Sequence, residues 1–330
     1  MSGDRGDSAS GGVPTGPVAG YDTDGWARHF TGLGYAGAQP LASGVEGAVW
    51  TLGSGLIGKV WWHRRAGDLN RLGAFLDDLA HSGLPFDVPR HLDLGHGPGG
   101  LAWTLEPELD GHPLGLDVPG QSPELTPAVV EVLCTVHGEL AQVAPTPALR
   151  SLPALAEDQP LLSGHRTFPG ALAGLVDRRL SHTDPVLDRL VPGVTAVAAE
   201  VTAALRALTD TPDGVLHGDL FPPNVLIDDR GAPTAVVDFG WLSTVGDPAF
   251  DAAVTAGITD RYGPRAAANR DLLDAAMIER FAYPPERLSL YRVAYALTTA
   301  AWFDPAGRDG HTRWCAGILR GPDTARALLP

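Results

Sequence analysis

Three oxygen-bearing side chains and a histidine bracket two short apolar runs within residues 215–251, VLHGDLFPPNVLIDDRGAPTAVVDFGWLSTVGDPAFD. His217, Asp219 and Asn224 stand at the head of the run 224–227, and Asp238 follows the run 235–237. Between the runs lies Asp228-Asp229-Arg230-Gly231, a turn signal, so the segment reads as a β-hairpin. A hairpin brings its outer ends together, and Asp219, Asn224 and Asp238 are therefore expected to face one another. Converging carboxylate and amide oxygens suit Mg²⁺ and a phosphate, and make a poor apolar core.

The order of these groups also serves phosphoryl transfer. That chemistry needs nucleotide and acceptor held in line, metal against the phosphate charge and an oriented hydroxyl. Asp219, five residues before Asn224, can accept the hydroxyl proton while the Asn224 oxygen ligates a metal. Asp238 supplies the bridging metal ligand. Either half alone is weak, because D-F-G occurs by chance and a loop aspartate often only caps a turn. Upstream lies a further signal: of 24 basic residues, Lys59 is the one lysine. Its flanks, Leu56-Ile57-Gly58 and Val60-Trp61-Trp62, are apolar and argue against a free surface position. A compact ammonium reaches a phosphate pair where a planar guanidinium does not fit.

The elements that must position these groups follow from spacing. Residues 24–33 place Trp26, Phe30 and Leu33 at helical intervals, with Asp24 as N-cap. A strand at 36–42, the turn Ser43-Gly44-Val45-Glu46-Gly47-Ala48, a strand at 49–52, the Ser54-Gly55 turn and a strand at 56–62 make a meander. Its first turn can lay backbone N–H groups over phosphates through Gly44, Gly47 and Ala48, although such spacing is common in ordinary turns. A helix at 68–81 carries Leu69, Leu72, Leu76 and Leu79 on one face, and a strand pair at 91–95 and 101–105 follows. Beyond the Pro/Gly-marked stretch 106–113, helices are expected at 126–143, 170–180, 184–190 and 195–208, then after the hairpin at 250–258, 266–281, 285–303 and 311–319. The expected fold is α+β and bilobal: a small antiparallel-sheet lobe at 22–106 and a larger, mostly helical lobe at 107–330, behind a disordered tail at 1–21.

At 330 residues the chain exceeds the usual size of a single core, and 44% apolar content can fill two. A net charge of −15 argues against a nucleic-acid partner, which needs a basic face. It fits cationic small molecules weakly and solubility more simply. No apolar run approaches the roughly 20 residues of a membrane span, and the N-terminus has no signal-peptide apolar segment. A cytoplasmic protein without a membrane partner is expected. Cys134 and Cys315 form no framework and are expected to be buried thiols.

His217-Gly218-Asp219-Leu220, with Pro222 and Asn224-Val225-Leu226, resembles the HGDLHPGNVL signature of the aminoglycoside phosphotransferase and choline-kinase-like family of small-molecule kinases. Val237-Asp238-Phe239-Gly240 followed by Gly246-Asp247-Pro248-Ala249-Phe250-Asp251 is similar to that family's I-D-F-G…G-D-P-x-x-D segment. The resemblance implies a protein-kinase-like fold, Asp219 as the catalytic aspartate, and Asn224 and Asp238 as Mg²⁺ ligands. It further implies that Lys59 contacts the nucleotide α/β-phosphates beneath the turn with Gly44, Gly47 and Ala48, and that residues 105–109, with Leu105, Glu106 and Leu109, form the adenine-binding hinge. His217 would support the loop, and Asp247 and Asp251 would brace it. The family usually places an acid on the first-lobe helix to pair with the lysine. Here Leu72 falls near that position, leaving Asp68, Glu46 or no acid for the task.

Only six residues separate Gly240 from Asp247 and no A-P-E follows, which argues against a regulated activation loop and a protein substrate. The expected function is O-phosphotransfer from ATP or GTP, with Mg²⁺, to a hydroxyl of a small molecule, first of all an antibiotic. A metabolic kinase of the choline, homoserine or sugar type is the alternative. A nucleotide-binding pseudokinase would account for the missing helix acid, and a metallohydrolase built from His217, Asp219 and Asp238 would leave Lys59 unexplained. The acceptor is expected between the hairpin and the C-terminal helices, near Phe221, Trp241, Asp251, Trp302, Asp304 and Asp309. Phe221 and Trp241 could stack on a flat substrate or simply pack the lobe core.

Overall fold

The computed structural model describes residues 21–115, 125–155 and 157–328, the side chains of 182–184 excepted. The tail expected at 1–20 lies outside the described residues. Tyr21, assigned to that tail, instead belongs to the first lobe. Its hydroxyl accepts a hydrogen bond from Trp50 Nε1 at 2.9 Å, and its ring meets Trp62 edge-on at 4.7 Å.

Helix α1 (Thr23–Gly32) buries Trp26 and Phe30. Asp22, not Asp24, is its N-cap, and Asp24 stands in the first turn, where a carboxylate faces the positive end of the helix dipole. Strands β1 (Gln39–Ser43), β2 (Gly47–Gly53) and β3 (Leu56–Trp61) make the meander. After α2 (Ala66–Ala80), β4 (Asp93–His96) and β5 (Ala102–Pro107) complete an antiparallel sheet in the order β1-β2-β3-β5-β4. The first strand begins later than expected because Ala38 N–H closes a turn on Tyr35 O. The second begins within the glycine turn, since Ser43 and Ala48 are already paired.

Alternation along the strands divides the sheet's two faces. One face packs Trp50, Val60 and Trp103 against Trp26 and Phe30. On the other, Trp61 and Ala102 join Leu69, Leu72, Phe75, Leu76 and Leu79 of α2 in a core continuous with the second lobe. Phe75 meets Phe239 there at 6.0 Å. Lys59, two residues before Trp61, shares that face and so points toward the cleft.

The second lobe begins with β6 (His112–Pro113), α3 (Pro127–Ala141), α4 (Phe168–Leu190), α5 (Val194–Ala207) and β7 (Gly214–Leu216). The hairpin β8 (Val225–Ile227) and β9 (Pro233–Val236) joins β6 in a three-stranded sheet, and β10 (Thr244–Gly246) pairs with β7. Then come α6 (Pro248–Ile258), α7 (Ala266–Phe281), α8 (Pro285–Thr299), α9 (Gly310–Arg320) and α10 (Pro322–Ala327). Two expectations fail here. The helices expected at 170–180 and 184–190 are one, with Pro185 inside it. The lost hydrogen bond is outweighed by packing on both sides of the proline, since Leu172, Leu175, Val176 and Leu187 are all fully buried. Helix α8 stops at Thr299 rather than 303, and Ala301 follows in a left-handed conformation, φ 54°. Trp302 and Phe303 therefore lie in a loop. Cys134 and Cys315 are buried free thiols. Among the described residues no helix is long and apolar enough to cross a membrane. The architecture is α+β, a kinase-like pair of lobes.

Candidate active site

Strand β7 delivers the chain to His217, and hydrogen bonds fix the loop 217–224 from several sides. Asp251 in α6 accepts from the N–H groups of His217 and Gly218, at 3.0 and 2.7 Å. Ser243 Oγ donates to His217 O at 2.6 Å and accepts from Gly240 N–H at 2.7 Å. His217 Nε2–H donates to Val237 O at 2.8 Å, while Nδ1 accepts from Asp219 N–H at 3.2 Å. Asn224 Nδ2 donates to Asp219 O at 2.9 Å, and Asn224 O accepts from Val237 N–H at the same distance. Gly218 has φ 81°, and a Cβ there would lie 2.6 Å from the Leu242 backbone, so only glycine fits. Both ring nitrogens of the fully buried His217 are spent on the backbone. It positions the loop, and the metallohydrolase built on it is discarded.

Asp238 adopts φ 65°, a left-handed conformation that costs a non-glycine residue on the order of 1 kcal/mol or more. There its Oδ1 meets Lys59 Nζ at 2.6 Å. Burial works against the lysine charge, but Asp238, then Glu46 and Glu106, outweigh it and hold the Lys59 pKa above its usual value. The lysine in turn holds the Asp238 carboxyl low against its own burial. Neither acid considered for this pairing forms the ion pair, although the Glu46 charge supports it from a distance. Asp68 accepts from Arg65 N–H at 3.2 Å and from Arg71 Nη2 at 2.6 Å at the start of α2, and Glu46 Oε1 pairs with Arg64 Nη2 at 2.8 Å. The D-F-G carboxylate is itself the partner.

Lys59, Asp219, Asn224 and Asp238 line one cavity of about 370 Å³, together with Gly44 and Gly47 of the turn. A Cβ at Gly47 would run into Val60 O, whereas one at Gly44 would meet open space. Ala48, expected beside them, is buried in the sheet core. Leu105, Glu106 and Leu109 are not on this lining. Leu105 O accepts from Leu92 N–H at 2.7 Å, and buried Glu106 turns inward to accept from Thr104 Oγ1 at 2.6 Å.

Of the expected acceptor contacts, Phe221 and Trp241 line the cavity, and both also pack against the main core. Trp302 instead lines an adjoining cavity of about 730 Å³ and meets Trp241 edge-on at 5.1 Å. The aspartates face elsewhere. Asp251 is 1% exposed with both oxygens taken by the loop backbone. Asp304 accepts from Ala306 N–H and from Arg308, and Asp309 caps α9 through Thr312 N–H. Four lining residues of the second lobe escaped the sequence reading: Arg261, Tyr295, Phe303 and His311. They come from the loop after α6, from α8, from the loop after it and from α9, with no spacing in common.

Burial raises the Asp219 carboxyl to about 7, opposed by Arg261 and reinforced by Asp238, Glu46 and Asp251. A carboxylate so tuned is suited to take a proton near neutral pH. Asn224 commits its Nδ2 to Asp219 O, and Asp238 commits Oδ1 to Lys59, which leaves Asn224 Oδ1 and Asp238 Oδ2 free on two residues that line the cavity. Two hard oxygen donors, with phosphates to complete the shell, fit Mg²⁺.

Three comparisons place this geometry among known proteins. An aminoglycoside phosphotransferase, APH(4)-Ia, solved with ADP and hygromycin B, superposes with a TM-score of 0.64 at 19% identity, covering 89% of this chain and 95% of that one. The macrolide 2′-phosphotransferase MphH from Brachybacterium faecium gives 0.55 at 20% identity, covering 91% and 99%. At these identities the likeness is one of fold. A homoserine kinase from Gluconacetobacter diazotrophicus is 38% identical over 76 residues, a stretch spanning 23% of each protein. Residues 37–288, which hold the lysine strand, the loop 217–224 and the D-F-G aspartate, match the phosphotransferase enzyme family, and the chain belongs to that family.

Proposed function

We propose that the chain moves the γ-phosphate of ATP or GTP to an alcohol hydroxyl of a small molecule, and that the acceptor is an antibiotic. The observation that carries this reading is the Lys59–Asp238 ion pair, at 2.6 Å, on the wall of a cavity that also holds Asp219 and Asn224. Asp219 accepts the proton of the attacking hydroxyl and holds it near the transferring phosphoryl group. Lys59 takes the α/β-phosphates, and the turn with Gly44 and Gly47 covers them. Asn224 Oδ1 and Asp238 Oδ2 would hold Mg²⁺, which when bound neutralises phosphate charge.

The antibiotic is supported by the relatives of like fold, one solved with hygromycin B and one named for macrolides. The stretch shared with a homoserine kinase supports a second reading, a metabolic kinase for a small hydroxylated amine or amino acid. The test incubates the purified chain with Mg²⁺ and either nucleotide against hydroxylated antibiotics, homoserine, choline and sugars, following products by phosphorus NMR. Phosphorylated antibiotic, absent with Asp219→Ala, is the expected result. Transfer to homoserine or choline alone would select the second reading. Phosphoester hydrolysis without nucleotide, or no transfer to any acceptor, would overturn both.

A further inference from the structure

Next to Asp219 the cavity wall turns aromatic. Trp241 and Phe303 lie 15° from parallel with ring centroids 5.5 Å apart, and Phe221 and Tyr295 line the same space. Two polar groups interrupt that wall. The Arg261 guanidinium sits over the Tyr262 ring at 5.0 Å, and its Nε is buried without a hydrogen-bond partner. His311 is 3% exposed, and its Nδ1 is also buried without a partner. Thr299 decides which nitrogen of that ring carries the proton. Its hydroxyl donates to Tyr295 O at 2.8 Å and accepts from His311 Nε2–H at 3.0 Å, with Cys315 Sγ a second, weaker acceptor at 3.4 Å. Nδ1 is then a bare lone pair on a ring that lines the cavity. Burial keeps the ring neutral, with its pKa lowered to about 4.

The same wall offers little to a polycation. Its acids are Glu46, Asp219 and Asp238. Glu46 is paired with Arg64 and Asp238 with Lys59, while Asp219 feels the Arg261 charge. A sugar carrying several ammonium groups would meet the Arg261 guanidinium and find one carboxylate among the lining residues without an ion pair, that of Asp219. Desolvating such charges unpaired opposes binding. The chain's net charge of −15 is therefore not gathered on this wall.

We infer that the acceptor is a ring-bearing alcohol that is not polycationic: its ring lies along the Trp241–Phe303 wall, Arg261 holds a carbonyl or carboxylate oxygen, and His311 Nδ1 accepts from one of its N–H or O–H groups. This rests on the phosphotransferase reading and names the class of molecule that site takes.

The experiment titrates the full chain, loaded with Mg²⁺ and a non-hydrolysable nucleotide, calorimetrically with three probes: uridine, mandelate and neomycin. Nucleotide binding is measured first, and its absence would fail the phosphotransferase reading together with everything built on it. With nucleotide bound, uridine or mandelate should bind about tenfold or more tighter than neomycin. Trp241→Ala and Arg261→Gln should each remove about tenfold of that affinity while leaving nucleotide affinity unchanged, and Arg261→Lys should keep part of the mandelate binding. His311→Phe should weaken uridine, whose ring N–H and hydroxyls can donate to Nδ1. Tighter binding of neomycin, binding of neither ring-bearing probe, or indifference to the Trp241 and Arg261 changes in chains that melt like the parent would overturn the acceptor class and leave phosphotransfer standing.

Discussion

A carboxylate at 2.6 Å and a tryptophan ring at 4.2 Å leave the Lys59 ammonium little room to become a guanidinium. Arginine serves everywhere else in this chain, yet at this one position its wider, planar fork would have to displace Asp238 or Trp61. Lys59→Arg should therefore lower kcat/KM by about tenfold or more while the melting temperature holds, which steady-state kinetics and thermal melting check together. A silent substitution would make the sole lysine an accident of composition. Asp251 supports a prediction of the opposite kind. Its two oxygens each accept from a backbone N–H of the loop 217–224 in a buried setting. Asp251→Asn turns an amide donor against one of those N–H groups, and should cost about 2–4 kcal/mol in urea unfolding and lower kcat as the loop loosens. A residue that merely touched the acceptor would instead raise the acceptor KM and leave stability alone.

At the scale of elements, the glycine turn separates a packing demand from a functional one. Gly47 lies where a Cβ would collide with Val60 O across the β2–β3 pair, whereas Gly44 has open space around it. Gly47→Ala should destabilise by about 1–3 kcal/mol through forced strand separation. Gly44→Ala should stay within about 0.5 kcal/mol, and any effect on nucleotide KM would come from the backbone's approach to phosphates. Urea unfolding of the two variants distinguishes them. The same elements show what spacing can reveal. The hairpin was legible because Asp228-Asp229-Arg230-Gly231 announces its own turn, and hydrogen bonds do tie the loop ends at Asn224 and Val237. The partner of Lys59 was not legible, since Asp238 lies 179 residues away and the choice among Asp68, Glu46 and none was posed within the first lobe alone. The aromatic wall was half legible. Phe221 and Trp241 flank the motifs, but Phe303 reaches the cavity because Ala301 takes a left-handed turn that an alanine does not advertise. Arg261 and His311 carry no motif, and only folding puts them beside Asp219.

The molecule as a whole responds to acid through groups that folding hides from water. His137 in α3 and His311 in α9 are 1% and 3% exposed, and burial lowers each to about 4. An unfolded histidine takes its proton near 6.5, so between the two values the unfolded chain binds more protons and stability rises with pH. The contribution is complete above about pH 6.5 and is lost as pH falls toward 4, on the order of 3 kcal/mol for each ring. Burial moves Asp219, Asp247, Asp251 and Asp274 in the other sense, raising their pKa values so that the folded chain takes these protons first and gains stability as pH falls. The two sets oppose each other, so the net acid limb of the parent protein does not isolate either. A difference between chains does. His137 meets the Tyr283 hydroxyl, at 2.8 Å, and the rings of Phe281 and Tyr283, at 4.9 and 5.7 Å, and it lies outside the cavity lining. His137→Phe removes its titration and leaves the carboxylates in place. Between about pH 7.5 and pH 5 the parent should lose about 2 kcal/mol more unfolding free energy than the variant. Equal losses in the two chains would mean that His137 takes its proton as readily folded as unfolded, and that the packing of α3 against the Phe281–Tyr283 turn does not close it off.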